Sequence, residues 1–352
     1  MKKEGVTMKK IISALLCALM VFSCLSLSAS AVSEKQGMDA LRAQFLKGES
    51  EYLDYVYYSP VKENDNKKYP LVVWLHGNSS GDYPGHQLDN CNIALWSSEE
   101  YQSRFKDEGG AYILLPRFPT DFINVAWSGT TTPLKNTIDT FIRRNRSNID
   151  TDRIYIGGYS LGGKMTIKMA TAYPTYFAAA FPLSPVYAPT NAELKNLIDM
   201  PIWFFWCKND DYTSLNILTV NSNWNYLMNI SNCKSRCRIS TFDKIYNADY
   251  SLKTADGKPD IHNTWDAACH DMFMNDLKAQ KDVVTKDGNG KTVNLTYPQG
   301  LIYWLSCQSK AAPEQEEEEV EGEKSGTVRE VISRIIAMIK NAFAEVLESL
   351  GL

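Results

Sequence analysis

The chain has 352 residues, a formal net charge of −4, 44% hydrophobic residues and 22% charged residues. That length accommodates one large α/β domain or two smaller ones, and the composition is that of a soluble globular chain. The acidic balance carries no nucleic-acid footprint.

The first 31 residues read as a targeting segment. Lys9-Lys10 precede the apolar run Ile11 to Leu27, and Ala29-Ser30-Ala31 is a small-x-small cleavage site. Val21-Phe22-Ser23-Cys24 loosely matches a lipidation box, which gives lipid attachment as the alternative to free secretion. Either way the expected destination is extracellular or on the cell surface. Residues 32–50 read as a polar lead-in with a short helix around Met38 to Phe45.

Tyr52 to Tyr58 is aromatic and β-prone, hence a first strand. Tyr69-Pro70-Leu71-Val72-Val73-Trp74-Leu75 is a continuous apolar run of the kind buried on both faces of a parallel sheet. It enters His76-Gly77-Asn78-Ser79-Ser80-Gly81, a small loop able to point backbone amides into a cleft. His76 reads as a residue that positions this loop, since a proton-transferring base would sit where amides are needed. Ala111 to Pro116 is the next strand. Residues 117–132 form a loop containing Arg117, Phe118 and Trp127, and Pro133 to Arg146 has helical spacing.

Arg153-Ile154-Tyr155-Ile156-Gly157-Gly158-Tyr159-Ser160-Leu161-Gly162-Gly163 is the most informative stretch. A β-branched run gives way to glycines around a serine and then to a helix-spaced segment, which predicts strand, tight turn and helix. A serine hydroxyl is a weak nucleophile and must be held out towards a base. Such a turn does this and aims the Leu161 amide and the helix N-terminus at a developing oxyanion. Further strands are expected at Phe177 to Ser184, Pro201 to Trp206 and Arg238 to Phe242, and helices at Asn191 to Ile198 and Trp224 to Asn229. Alternating strands and helices predict a mainly parallel sheet covered on both faces. Functional residues then collect at the carboxyl ends of the strands, where His76, Ser160 and Asp210 fall.

A serine nucleophile needs a histidine, and the histidine needs a carboxylate. Of four histidines, only His262 and His270 follow Ser160, the chain order expected for such a sheet. His262 lies in the polar stretch Pro259 to Thr264, which reads as a loop. His270 lies in Trp265 to Leu277, which reads as a helix. Asp210 and Asp211 compete for the acid, and the residues alone do not separate them. Six cysteines remain beyond residue 31 (Cys91, Cys207, Cys233, Cys237, Cys269, Cys307), which permits disulfides in an exported chain without choosing among pairings. Their spacing has no metal signature, and no metal or cofactor is called for.

Past Cys307 the composition changes. Residues 310–326 form an acidic linker, and Thr327-x-x-Glu330 caps an amphipathic helix over residues 327–352. Its wide apolar face predicts docking on its own domain or self-association, or else a tether to a membrane surface or a partner.

The residues also resemble a family. Tyr69 to Gly77, Asp152 to Gly163, Tyr173-Pro174, Phe177 to Ala180, Pro201 to Asp210, His262-Asn263-Thr264-Trp265 and Tyr303-Trp304-Leu305 are similar, in this order, to α/β-hydrolase esterases. The group contains feruloyl esterases, polyhydroxyalkanoate depolymerases and predicted peptidases, and coverage is roughly residues 48–309. The resemblance implies Ser160 as nucleophile, His262 as base and Asp210 as acid. It also implies an oxyanion hole from the amides of Leu161 and of Gly77 or Asn78. His76, Tyr159, Trp127 and Trp265 are candidates to line the substrate cleft. Two departures stand beside the site: Trp206-Cys207 where the family has His-Gly, and Ile261 where it has glycine.

The expected organisation is a leader over 1–31, an α/β-hydrolase domain over 32–309, the linker and the terminal helix. The expected activity is hydrolysis of carboxylic esters through an acyl-enzyme, on a small ester or an acylated plant polysaccharide bearing feruloyl or acetyl groups. Peptidase activity is the alternative within the fold. A non-catalytic, surface-anchored binding protein is the alternative outside it.

Overall fold

The computed structural model describes residues 37–62, 66–78, 85–88, 92–106, 109–118, 127–211, 217–271 and 282–310. The expected leader, the terminal helix and all of the acidic linker beyond Lys310 lie outside these. Eleven strands are present among the described residues: β1 (Leu46–Gly48), β2 (Tyr55–Tyr58), β3 (Tyr69–Leu75), β4 (Tyr112–Pro116), β5 (Ile149–Tyr159), β6 (Ala179–Leu183), β7 (Trp203–Cys207), β8 (Arg238–Phe242), β9 (Thr254–Ala255), β10 (Lys258–Pro259) and β11 (Val283–Asp287). The helices are α1 (Glu99–Gln102), α2 (Trp127–Arg144), α3 (Leu161–Ala172), α4 (Asn191–Leu194), α5 (Ile217–Ile230), α6 (Thr264–Cys269) and α7 (Leu301–Ser306).

Nine strands make one sheet in the order β1-β2-β4-β3-β5-β6-β7-β8-β11. The six from β4 to β8 run parallel. β1, β2 and β11 pair antiparallel at the margins. β9 and β10 form a separate small hairpin.

The alternation of side chains along a strand explains the two cores. Val72 and Trp74 of β3 enter a cluster with Trp96, Phe181, Trp203 and Phe205. Leu71, Val73 and Leu75 enter the other, with Met165 and Met169 of α3 and Leu134 and Phe141 of α2. All seven residues of β3 are buried, as expected for a central parallel strand.

Several elements differ from expectation. α2 begins at Trp127, six residues before Pro133, so the proline lies inside the helix instead of opening it. β5 is eleven residues long, because Tyr69 pairs with Ile149 before a register shift lets Leu71 pair with Ile154. Of the segment read as a helix from Trp265 to Leu277, α6 covers Thr264–Cys269, with His270 as its cap and Asp271 at φ 53°, and the part beyond Asp271 lies outside the described residues. β11 was not anticipated. It pairs with β8 on one side and is covered on the other by its own return, where Lys286 bridges Thr292 and Val293 N–H donates to Thr285 O.

Candidate active site

The end of β5 sets the geometry. Ser160 has φ 54°, a left-handed conformation that costs a non-glycine residue roughly 1–3 kcal/mol. The surroundings hold it there. Its N–H donates to Leu183 O of β6 at 3.0 Å, and its carbonyl accepts from Lys164 N–H at 3.0 Å inside α3.

The flanking glycines are required by close approach to β3. A Cβ on Gly162 would stand 2.1 Å from Leu75 O and 2.5 Å from His76 O, and one on Gly158 2.5 Å from Leu75 O. Both obstacles are backbone of a central strand and cannot turn aside. Gly162→Ala should therefore lower stability by roughly 3 kcal/mol or more, the upper end of overpacking costs. Urea denaturation measures this, and a midpoint equal to wild type would refute the crowding argument.

Three side chains from three strand ends meet at this turn. His262 Nε2 lies 3.0 Å from Ser160 Oγ, and His262 Nδ1 lies 2.7 Å from Asp210 Oδ2. A carboxylate can only accept, so Nδ1 carries the proton and Nε2 is left to accept from the serine hydroxyl. Asp210 is 3% exposed and Ser160 9% exposed. Asp211 is exposed. The geometry therefore separates the two aspartates that the residues alone left open. It also separates the histidines, since His270 caps α6 and makes neither contact. The arrangement can take a proton from Ser160, hold it on an imidazolium beside a buried carboxylate, and return it.

The loop carrying His262 is held by residues that sequence reasoning missed. Asp260 Oδ1 accepts from the backbone N–H groups of His262 and Asn263 at 2.9 and 3.0 Å. The Asn263 side chain caps α6 by accepting from Asp266 N–H at 3.2 Å. Lys253 Nζ pairs with Asp266 Oδ2 at 2.6 Å and so ties the β9–β10 excursion to the helix start. Behind it Thr264 Oγ1 and Ser184 Oγ are 2.8 Å apart and buried. The spacing Asp260-x-x-Asn263-x-x-Asp266 was the available signal, because Asp and Asn at three-residue spacing mark side-chain turns and helix caps.

The candidate cleft residues divide. Trp265 is half-buried; it stacks on Tyr159 with centroids 4.4 Å apart and meets His262 edge-on at 5.4 Å, which braces the imidazole. Tyr159 is 4% exposed and packs against Trp74, so it supports the turn. Trp127 opens α2, and its side chain lies outside the described residues.

His76 sits inside the loop that the sequence reading had it position. It is 3% exposed, its Nδ1–H donates to Gly77 O at 2.7 Å, and its Nε2 accepts from Phe118 N–H at 3.0 Å. Gly77, the expected second oxyanion donor, passes beside the turn: a Cβ on it would be 3.2 Å from Ser160 Cβ and 2.6 Å from the Tyr159 ring. Asn78 is exposed next to it, and Leu161 is the first residue of α3.

Burial, then the neighbouring charges of His86 and Arg117, lowers the His76 pKa to about 4, against one backbone hydrogen bond that raises it. The unfolded chain takes up a proton near the ordinary 6.5, the folded chain only near 4. The stability tied to neutral His76 is thus complete above pH 6.5 and is lost as pH falls, by about 3 kcal/mol at pH 4. Asp271 works the other way: burial, opposed by the Leu301 N–H and by Arg104 at 2.8 Å, raises it to about 6, which favours the fold as pH falls. The His76 contribution is therefore read as a difference. The stability gap between wild type and His76→Gln, from denaturation at pH 7 and pH 4.5, should narrow at the lower pH; a constant gap would contradict it.

Residues 135–236 match the prolyl oligopeptidase family. No curated protein matches the chain in sequence. Among solved structures, a thermostable esterase is similar at 23% identity over 65% of this chain and 61% of that one, with a TM-score of 0.51. The acylaminoacyl peptidase of Pyrococcus horikoshii is 17% identical over 53% of this chain and 35% of its own, with a TM-score of 0.40. Est1E from Butyrivibrio proteoclasticus is 12% identical over 56% of this chain and 88% of its own, with a TM-score of 0.36. This chain thus spans less than two thirds of the esterase and about a third of the peptidase. Sheet order, strand–turn–helix at Ser160 and the family match agree on one architecture: the chain has the α/β-hydrolase fold.

Proposed function

We propose that the protein is a serine hydrolase that cleaves carboxylic esters through an acyl-enzyme. The observation that carries the reading is the continuous hydrogen-bonded line from Asp210 through His262 to Ser160. Ser160 Oγ attacks the ester carbonyl as His262 Nε2 takes its proton. The Leu161 amide and the Gly77–Asn78 backbone bind the oxyanion. His262 then protonates the leaving alkoxide, and water, activated by the same imidazole, releases the acid. Asp210 holds the imidazole in the required tautomer throughout.

The ester half of the reading rests on the motif resemblance, and so does the suggestion of feruloyl or acetyl groups on plant polysaccharide. Export, the third part, rests on the leader pattern of residues 1–31. The prolyl oligopeptidase match supports a second reading, cleavage of peptide bonds. That match spans Ser160 and Asp210 and stops at residue 236, short of His262. A fluorophosphonate probe followed by a substrate panel tests both. The proposal expects labelling at Ser160 and faster turnover of aryl, acetyl-sugar and feruloyl-sugar esters than of matched peptide amides. Faster amide turnover would favour the second reading, and an unlabelled Ser160 would end both.

A further inference from the structure

The turn joining α5 to β8 places two thiols in contact, far along the chain from the three residues of the proposed site. Cys233 Sγ and Cys237 Sγ are 3.8 Å apart. Cys233 is 3% exposed and Cys237 is fully buried. A single 3₁₀ turn, Lys234–Arg236, lies between them, with Cys237 N–H donating to Lys234 O at 3.1 Å.

The turn is pinned from outside. Gly288 N–H donates to Lys234 O at 3.1 Å, and Trp304 Nε1–H donates to Arg236 O at 2.8 Å. Gly288 lies so close that a Cβ there would meet Lys234 O at 2.4 Å. The turn that brings the sulfurs together is therefore held by a backbone amide and an indole N–H from two other segments. A bonded pair sits near 2.05 Å, so closure requires each sulfur to move by less than about 1 Å. We propose that Cys233 and Cys237 are joined by a disulfide when the protein folds in the presence of a disulfide oxidant.

In the folded turn, hydrogen bonding with Cys237 holds the Cys233 thiol below the ordinary value against the effect of burial, helped by Ser231 and Arg236, and Cys237 itself is raised. Cys233 thiolate attacks one sulfur of the oxidant disulfide, forming a mixed disulfide and expelling a thiolate that takes up the first proton. Cys237, giving its proton to solvent, then attacks Cys233 Sγ, closes the bond and expels the second thiolate. Two protein thiols and one oxidant disulfide become one protein disulfide and two small thiols. Burial requires that exchange precede final packing of the turn, and it then shields the product from reductant.

The test uses the full chain refolded in reduced and oxidised glutathione, quenched, and alkylated with iodoacetamide in denaturant before peptide mapping. The expected result is a chain carrying two fewer carbamidomethyl groups than one reduced before alkylation, with Cys233 and Cys237 protected and joined to each other, and Cys207 and Cys269 alkylated. Alkylation of Cys233 and Cys237 to the same extent as Cys207 would overturn the proposal, as would linkage of either to another cysteine. A second measurement covers stability. Reductant during refolding should lower the wild-type melting temperature and leave that of Cys233→Ser/Cys237→Ser unchanged; an equal effect on both would count against the cross-link.

Discussion

Ser160→Ala should lower kcat on any ester the protein hydrolyses by roughly 10⁴ to 10⁶ while leaving the fold intact. The methyl group keeps the backbone at φ 54°, because the Leu183 O and Lys164 N–H contacts are made by the main chain. Only Oγ, and with it the 3.0 Å contact to His262 Nε2, is removed. Oxyanion donors and binding surfaces survive, so residual turnover above the uncatalysed rate is expected, with KM close to wild type. An urea midpoint matching wild type shows that the loss is chemical and not structural. Turnover within tenfold of wild type would move the nucleophile elsewhere and leave the left-handed serine without a purpose.

The aspartate pair provides the second large effect. Asp210→Asn should reduce kcat by about 10⁴ and Asp211→Asn by less than about threefold. Asp210 Oδ2 accepts at 2.7 Å from Nδ1. An amide can turn its N–H₂ to that nitrogen, making Nδ1 the acceptor and shifting the ring proton to Nε2, where it faces Ser160 and cannot take a second. Asp211 is exposed, so its substitution alters a solvated charge. Steady-state kinetics of the two variants on one aryl ester decides. The opposite ranking would mean that the buried carboxylate is structural.

Much of this was legible in the residues because the informative segments are locally self-sufficient. β3 reads as a buried parallel strand from seven apolar residues in succession. The turn at Ser160 reads from glycines whose need is steric and local in origin, although the obstacle they avoid, Leu75 O, is 87 residues upstream of Gly162. Asp210 against Asp211 was different. Adjacent side chains on a turn diverge, and which one faces inward depends on how the turn leaves β7, with Asp210 N–H donating to Cys207 O at 3.0 Å.

His76 and Tyr159 carried two readings for a related reason. Aromatic residues beside a reactive serine look the same in sequence whether they face substrate or brace the turn, and only burial distinguishes them. The break after Cys269 was not legible because helix-compatible residues continue past it, whereas Asp271 turns left-handed to meet Arg104 and the Leu301 N–H. β11 was missed because a five-residue Val-Val-Thr-Lys-Asp run carries little signal until β8 supplies its partner.

That last strand also affects how copies of the protein meet. A sheet margin with free amides and carbonyls is a template on which further chains can be laid down. Here the margin beyond β8 folds back on itself, and the Lys286–Thr292 bridge with the Val293-to-Thr285 hydrogen bond engages groups that a neighbour would otherwise use. At this side of the sheet the polypeptide occupies part of its own growth edge, so crowding at high concentration finds a shorter ladder there to extend.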